Sequence, residues 1–146
     1  MLPAQRRGQL PTLVSRLDSR PTQLLQSQMP SPGEVRKLLL AQGIQQQPEL
    51  IIMDEPTNHL DLHHQVAVMA MLKQQAEQGA AVFMCLHDLN LADRWCDHLL
   101  LLYPDGELCF GPAEVMLEPT ALERLYNQKL AVAQVDGAPV FVPVQP

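Results

Sequence analysis

Two adjacent carboxylates, Asp54 and Glu55, close the apolar run Leu50-Ile51-Ile52-Met53. Ionised groups at the end of a buried strand are costly to desolvate without a cationic partner. Mg²⁺ is a natural one, since it takes carboxylate oxygens, often through water. An ordinary acidic turn after a strand is the competing reading of the dipeptide. A second apolar run, residues 80–86, ends in His87-Asp88. A lone histidine at a strand end is more often structural than catalytic. If the two runs are neighbouring strands, however, His87 stands beside Glu55.

Other residues invite chemistry less. His59, His63 and His64 suggest a metal cluster, but His63 and His64 are adjacent and leave a helix on different sides, while His59 precedes them in a loop. Cys85, Cys96 and Cys109 are widely spaced and make no C-x-x-C pair, so neither a zinc knuckle nor a redox dithiol is indicated. Cys85 lies inside an apolar run and reads as a core residue, as do Met53, Met69, Met71 and Met84. A loop of the form G-x-x-x-x-G-K-[S/T] would cradle phosphates with backbone N–H groups and a lysine. The chain holds seven glycines, and none is followed by Lys.

The elements that must position these groups follow from the pattern. Residues 1–32 are rich in Gln, Ser and Arg and broken by Pro3, Pro11, Pro21, Pro30 and Pro32, which predicts a loosely structured segment. From Gly33 the pattern turns helical. Val35, Leu38, Leu39 and Gln42 share helical spacing, and Glu34 lies in the first turn, where the helix dipole favours an anion. Pro48 ends that segment. Residues 50–53 are a short apolar run between turn signals, which predicts a strand buried on both faces. A helix follows over 62–78, capped by Gly79. Next come a second buried strand over 80–86, a helix over Leu89–Trp95 and a third strand over 98–103. Pro104-Asp105-Gly106-Glu107 is a turn that returns 108–110 as a hairpin partner. Two short helices are expected at 112–118 and 121–127. Pro112 would stand at the first position of one, and Thr120 would cap the other with Glu123 three residues on. A terminal hairpin joins 129–135 to 139–142 around Asp136-Gly137. Alternating strands and helices predict an α/β fold of parallel strands with crossover helices, with functional groups at the carboxyl ends of the strands.

The run Leu50-Ile51-Ile52-Met53-Asp54-Glu55-Pro56-Thr57-Asn58-His59-Leu60-Asp61 closely resembles the Walker B and D-loop segment of ABC ATPases. That resemblance implies that Asp54 supports Mg²⁺ and that Glu55 polarises the attacking water. It also implies that Asn58 and Asp61 belong to the D-loop, which couples two nucleotide sites across a dimer. The segment ending in His87-Asp88 resembles the family's switch motif, with Leu86 where Ser is usual. The implied role of His87 is a neutral imidazole that contacts the γ-phosphate and orients Glu55 and the water. Upstream, Pro30-Ser31-Pro32-Gly33-Glu34 stands where the Leu-Ser-Gly-Gly-Glu signature belongs, and Val35-Arg36-Lys37-Leu38-Leu39-Leu40-Ala41 looks like the signature helix. Ser31, Gly33 and Glu34 match, which assigns them to nucleotide binding. Pro32 has no N–H to aim at a phosphate. Asp88-Leu89-Asn90-Leu91-Ala92, residues 98–102, Gly106-Glu107 and Gly111-Pro112-Ala113-Glu114-Val115-Met116 look like ATPases of importers for iron-siderophores, haem or vitamin B12.

The resemblance therefore implies a partial P-loop NTPase fold. Residues 33–146 would be the C-terminal half of an ABC ATPase domain without a phosphate-binding loop of its own, whether as a natural truncation, a split-gene half or an over-trimmed gene. ATP and Mg²⁺ are the implied cofactors. The implied partners are a membrane-embedded transporter subunit and a second ATPase half or a homodimer. The implied location is cytoplasmic, peripheral to the inner or plasma membrane. The expected function is the ATP-binding and ATP-hydrolysing component of an importer. The alternative is a catalytically inactive remnant acting as a binding or regulatory module. Composition limits the rest. A net charge of −6 argues against a nucleic-acid partner, which would need a basic face. The longest apolar run is far short of the ~20 residues that span a bilayer. Without an N-terminal half, the strand carrying Asp54 and Glu55 becomes an edge, which predicts that the isolated chain self-associates or needs a partner.

Overall fold

A computed structural model describes residues 32–145. Ser31, and the stretch expected to be loosely structured up to it, lie outside the described residues. The chain divides between Cys85 and Leu86 into two compact units.

The first described element of the first unit is α1, Pro32–Ile44, which carries Glu34 in its first turn. Lys37, Leu40, Ala41 and Ile44 form its buried face, spaced three and four apart, whereas Val35, Leu39 and Gln42 are exposed. The helix is where periodicity puts it, but its inward stripe is a different one. A pattern count treats Lys37 as polar, yet a lysine stem packs as hydrocarbon. β1, Leu50–Asp54, and β2, Ala81–Cys85, are joined by α2, Leu62–Glu77. The strands pair in parallel, from Leu50 opposite Ala81 to Asp54 opposite Cys85. α2 ends in a Schellman motif: the N–H groups of Ala80 and Gly79 donate back to the carbonyls of Gln75 and Ala76. Gly79 takes the φ of +100° that this turn demands. Val68, Met69, Met71 and Leu72 are buried on α2, which packs against β2.

Exposure alternates along both strands. Leu50, Ile52 and Phe83 lie on an open face, with Ile52 70% exposed. This corrects the expectation of strands buried on both faces. It also moves Cys85 from the core to the exposed set. A continuous apolar run signals cover on both faces, and in this structure only one face of the pair is half-buried.

In the second unit, α3, Leu89–Trp95, starts at Asp88, whose carboxylate accepts the N–H groups of Asn90 at 2.8 Å and Leu91 at 3.2 Å. β3, His98–Leu102, and β4, Leu108–Pro112, form an antiparallel hairpin. Strand and helix alternation predicts a third parallel strand; among the described residues, β3 pairs with β4 and not with the parallel pair. The hairpin itself is the expected one: the turn at Gly106, φ +87°, folds the chain straight back and brings the Tyr103 N–H onto the Glu107 carbonyl. α4, Ala113–Met116, and α5, Pro119–Tyr126, follow. A second hairpin, β5, Leu130–Val135, and β6, Ala138–Pro143, turns at Asp136 and Gly137 with φ of +52° and +80°. Two positive values are what a type I′ turn requires.

Two helix starts differ from the sequence expectation. Pro112 precedes α4 rather than opening it. α5 begins at Pro119 after Glu118, so Thr120 lies inside the helix with its hydroxyl donating to Glu118. Glu123 accepts the Leu130 N–H at 2.9 Å instead of closing a capping box. Ala113, Leu117, Leu122 and Phe141 make the core of this unit, with Leu89, Leu99 and Leu130 packed on it. Asn90 Oδ1 accepts the Phe141 N–H at 2.9 Å and ties α3 to β6. Leu100, Leu102, Leu108 and Phe110 remain exposed on β3 and β4, where the His98 ring stacks on Phe110. Among the described residues, no helix is long and apolar enough to cross a membrane.

Candidate functional site

Glu55 leaves the first strand abruptly. Its N–H still extends the ladder, donating to the Cys85 carbonyl at 3.1 Å. Its φ is then +44°, a left-handed value that non-glycine residues seldom take. The Asn58 N–H closes back on the Glu55 carbonyl at 3.1 Å, and Leu60 does the same to Thr57 at 3.3 Å. His59 is also left-handed, at +61°. Pro56 is fully buried under this turn. Asp54 is thus exposed at the strand end, and Glu55 is half-buried on a sharply bent loop. Backbone held in such sparse regions clusters at functional sites.

α1 braces the loop. Arg36 Nη1 donates to the Glu55 carbonyl at 2.7 Å and to the Asn58 carbonyl at 3.1 Å. At Gly33, one turn earlier, a Cβ would stand 3.1 Å from Leu60 Cδ2. The structure therefore gathers Gly33, Glu55 and Asn58 at one place in the first unit. Glu34 lies on the adjoining turn of α1, half-buried. Asp54 precedes the loop directly, and Asp61 ends it. Arg36 is the residue that sequence reasoning missed. It lies in the helical run 35–41, but nothing local signals a contact across 19 positions.

Asp61 caps α2. Its carboxylate accepts the His64 N–H at 2.9 Å, and His64 Nδ1 stands 2.7 Å away. The N–H of His64, then its imidazole, holds the Asp61 carboxyl below the usual carboxylate range, with the charge of Lys37 adding to the effect. A depressed folded value means that the cap's contribution to stability is full above the unfolded value, about 3.9. It is lost as pH falls through the folded value. The protection of the His64 amide, its exchange relative to the unstructured rate at each pH, is expected to hold at pH 5 and to fall only below the ordinary carboxylate range. Asp61→Asn, which keeps a cap but has no proton to gain, is expected to flatten that profile.

His87 lies in the second unit, exposed, two residues along the chain from Cys85. Its carbonyl accepts the Tyr126 hydroxyl at 3.4 Å, and the next residue, Asp88, caps α3. Burial, with the Asp88 charge added, pushes the Tyr126 phenol up.

Asp54 with Glu55 beside it offers the one or two carboxylates that Mg²⁺ takes alongside waters and substrate phosphates, so the donor chemistry fits that ion. Among the described residues, no group of three or more His, Cys, Asp and Glu is arranged to hold a metal. His59, His63 and His64 therefore form no such cluster. The rings of His63 and His64 meet edge to face, with centroids 5.7 Å apart.

No family model matches the chain. Among curated proteins, the hemin import ATP-binding protein HmuV of Rhodococcus jostii is 38% identical over 115 residues, which is 77% of this chain and 39% of that protein. The petrobactin import ATP-binding protein YclP of Bacillus subtilis is 31% identical over 113 residues, 77% of this chain and 45% of its own length. The chain belongs to the ATP-binding proteins of ABC transporters. It spans less than half the length of these relatives. Among solved structures, a transporter described as metal-chelate type, in an inward-facing conformation, superposes with a TM-score of 0.77 at 25% identity. That match covers 97% of this chain and 57% of the other. The fold of the chain is accordingly part of the P-loop NTPase α/β architecture, and its β1–α2–β2 unit carries the Asp54-Glu55 pair.

Proposed function

We propose that this chain supplies the metal-carboxylate, water-positioning and switch-histidine elements of the ATP-hydrolysing subunit of an importer for iron chelates such as haem or siderophores. The observation that carries the reading is the Asp54-Glu55 pair at the carboxyl end of β1, where the left-handed turn lifts Glu55 off the strand. The kinship with ATP-binding proteins of hemin and petrobactin import supports the substrate class.

Asp54 would hold Mg²⁺, which supplies charge neutralisation at the γ-phosphate. Glu55 would orient the attacking water, and His87 would contact the γ-phosphate through a neutral imidazole. Gly33 and Glu34 at the start of α1, with Ser31 just before them in sequence, would serve the nucleotide of a second ATPase half or a second copy of the chain. Asn58 and Asp61 would lie on the loop between those two sites. The phosphate cradle would come from the rest of the domain, in the same or another polypeptide. The open apolar face of Leu50, Ile52 and Phe83 suits burial against it. A membrane-embedded transporter subunit completes the assembly, with the ATPase on its cytoplasmic side.

One observation favours a second reading, a catalytically inactive binding or regulatory module. Pro32 is the first residue of α1, and its missing N–H weakens that helix end as an anion site. Calorimetric titration with Mg²⁺-ATP separates the two. The full chain alone is expected to show no micromolar binding. The chain purified with its transporter subunit and the segment carrying the phosphate loop is expected to bind and turn over ATP. Absence of binding in that complete complex would favour the inactive module.

A further inference from the structure

We propose that Arg36 is a positioning residue: it holds the turn at 55–58 in its left-handed form and thereby fixes the direction of the Glu55 carboxylate. The inference rests on the reading of Glu55 as the water-positioning acid. Both carbonyls that Arg36 engages belong to that turn, at 2.7 Å and 3.1 Å. The Glu55 carbonyl also closes the turn by accepting the Asn58 N–H, so Arg36 acts on the same oxygen that defines the bend.

Arg36 is well placed for this task. Gly33 lies three residues earlier on the same face of α1, and a Cβ there would press on Leu60 at 3.1 Å. The helix can therefore lie close over the loop. Lys37, four residues on from Gly33, is 5% exposed, so the helix is anchored into the unit beside Arg36 rather than swinging free. The guanidinium stays charged at any working pH and carries several rigid donors, so one nitrogen can serve two carbonyls. Left-handed backbone at a glutamate persists only where its surroundings enforce it. Release of the turn would let Glu55 relax to ordinary φ and swing its carboxylate by several ångströms.

The test uses three forms of the full chain: wild type, Arg36→Met and Arg36→Lys. Amide exchange is read at Asn58 and Leu60, the two N–H donors inside the turn. Arg36→Met is expected to speed both by roughly tenfold while leaving the amides of α2 unchanged, since local opening need not involve the core. Arg36→Lys is expected to recover part of the protection. The ¹³C resonance of the Glu55 carboxyl is expected to move in Arg36→Met and to return toward wild type in Arg36→Lys. Unchanged exchange and an unmoved Glu55 resonance in Arg36→Met would overturn the proposal.

In the complete ATPase complex, Arg36→Met is expected to lower kcat by about tenfold with KM for ATP unchanged, the signature of lost positioning rather than lost binding. Glu55→Gln is run in parallel. If Glu55→Gln lowers kcat and Arg36→Met does not, the positioning role is wrong. If exchange responds but neither variant lowers kcat, the reading of Glu55 itself is overturned.

Discussion

Glu55→Gln is expected to lower ATP turnover of the complete complex by about 100-fold to 10,000-fold, the range for removing a positioned base. Mg²⁺-ATP binding is expected to change by no more than about threefold, because the lost interaction would be made only in the transition state. The substitution is nearly isosteric. It also leaves the backbone of the turn alone: the Glu55 N–H still reaches Cys85, and its carbonyl still accepts Arg36 and Asn58. A fall in turnover would therefore report chemistry, not folding. Steady-state phosphate release, with calorimetric binding on the same preparation, makes the measurement. Wild-type turnover in the variant would remove Glu55 from the catalytic role and shift attention to the inactive-module reading.

Leu122→Ala is expected to cost about 2–5 kcal/mol, the usual range for emptying a core leucine site. Leu122 is 0% exposed and sits among Ala113, Leu117 and Phe141 at the centre of the second unit. α5 is only eight residues long and cannot persist without that packing. Its loss would also release Arg124 from Asp105 and Glu107, and Glu123 from Leu130. Domains hold only about 5–15 kcal/mol in total, so the second unit would be close to unfolding. Urea denaturation of the full chain, followed at amides of both units, is expected to show an early transition for residues 86–145. Met69 and Leu72, which are buried in the first unit, mark the part expected to stay intact. A shift of less than about 1 kcal/mol would mean that the site collapses around the missing atoms.

The order of elements was readable from local chemistry. Asp88 begins α3, Gly79 ends α2, and Asp136-Gly137 turns the last hairpin, each through bonds within a few residues. The short apolar runs were readable as strands, and the carboxylate pair was readable at the end of the first. Side-chain partners distant in sequence were not. Thr120 looked like a cap because the Thr-x-x-Glu spacing fits one, but Pro119 after Glu118 offers a start whose φ is already set. Glu123 was then free to take the Leu130 N–H.

Residue identity alone places Asp54 and Glu55 at a strand end and His87 just past another, because apolar runs and polar stops act over a handful of neighbouring residues. Three matters depended on the folded chain. The first is that, among the described residues, β3 pairs with its expected hairpin partner β4 without also extending the parallel β1–β2 pair. The second is that the strand faces are unequally covered, since a run of apolar residues states a preference for burial but cannot supply the surface that provides it. The third is the left-handed turn at Glu55 under Arg36. That conformation is unfavourable for an isolated glutamate, so it exists only where contacts from a helix 19 residues away hold it, and such contacts form only when the chain has closed on itself.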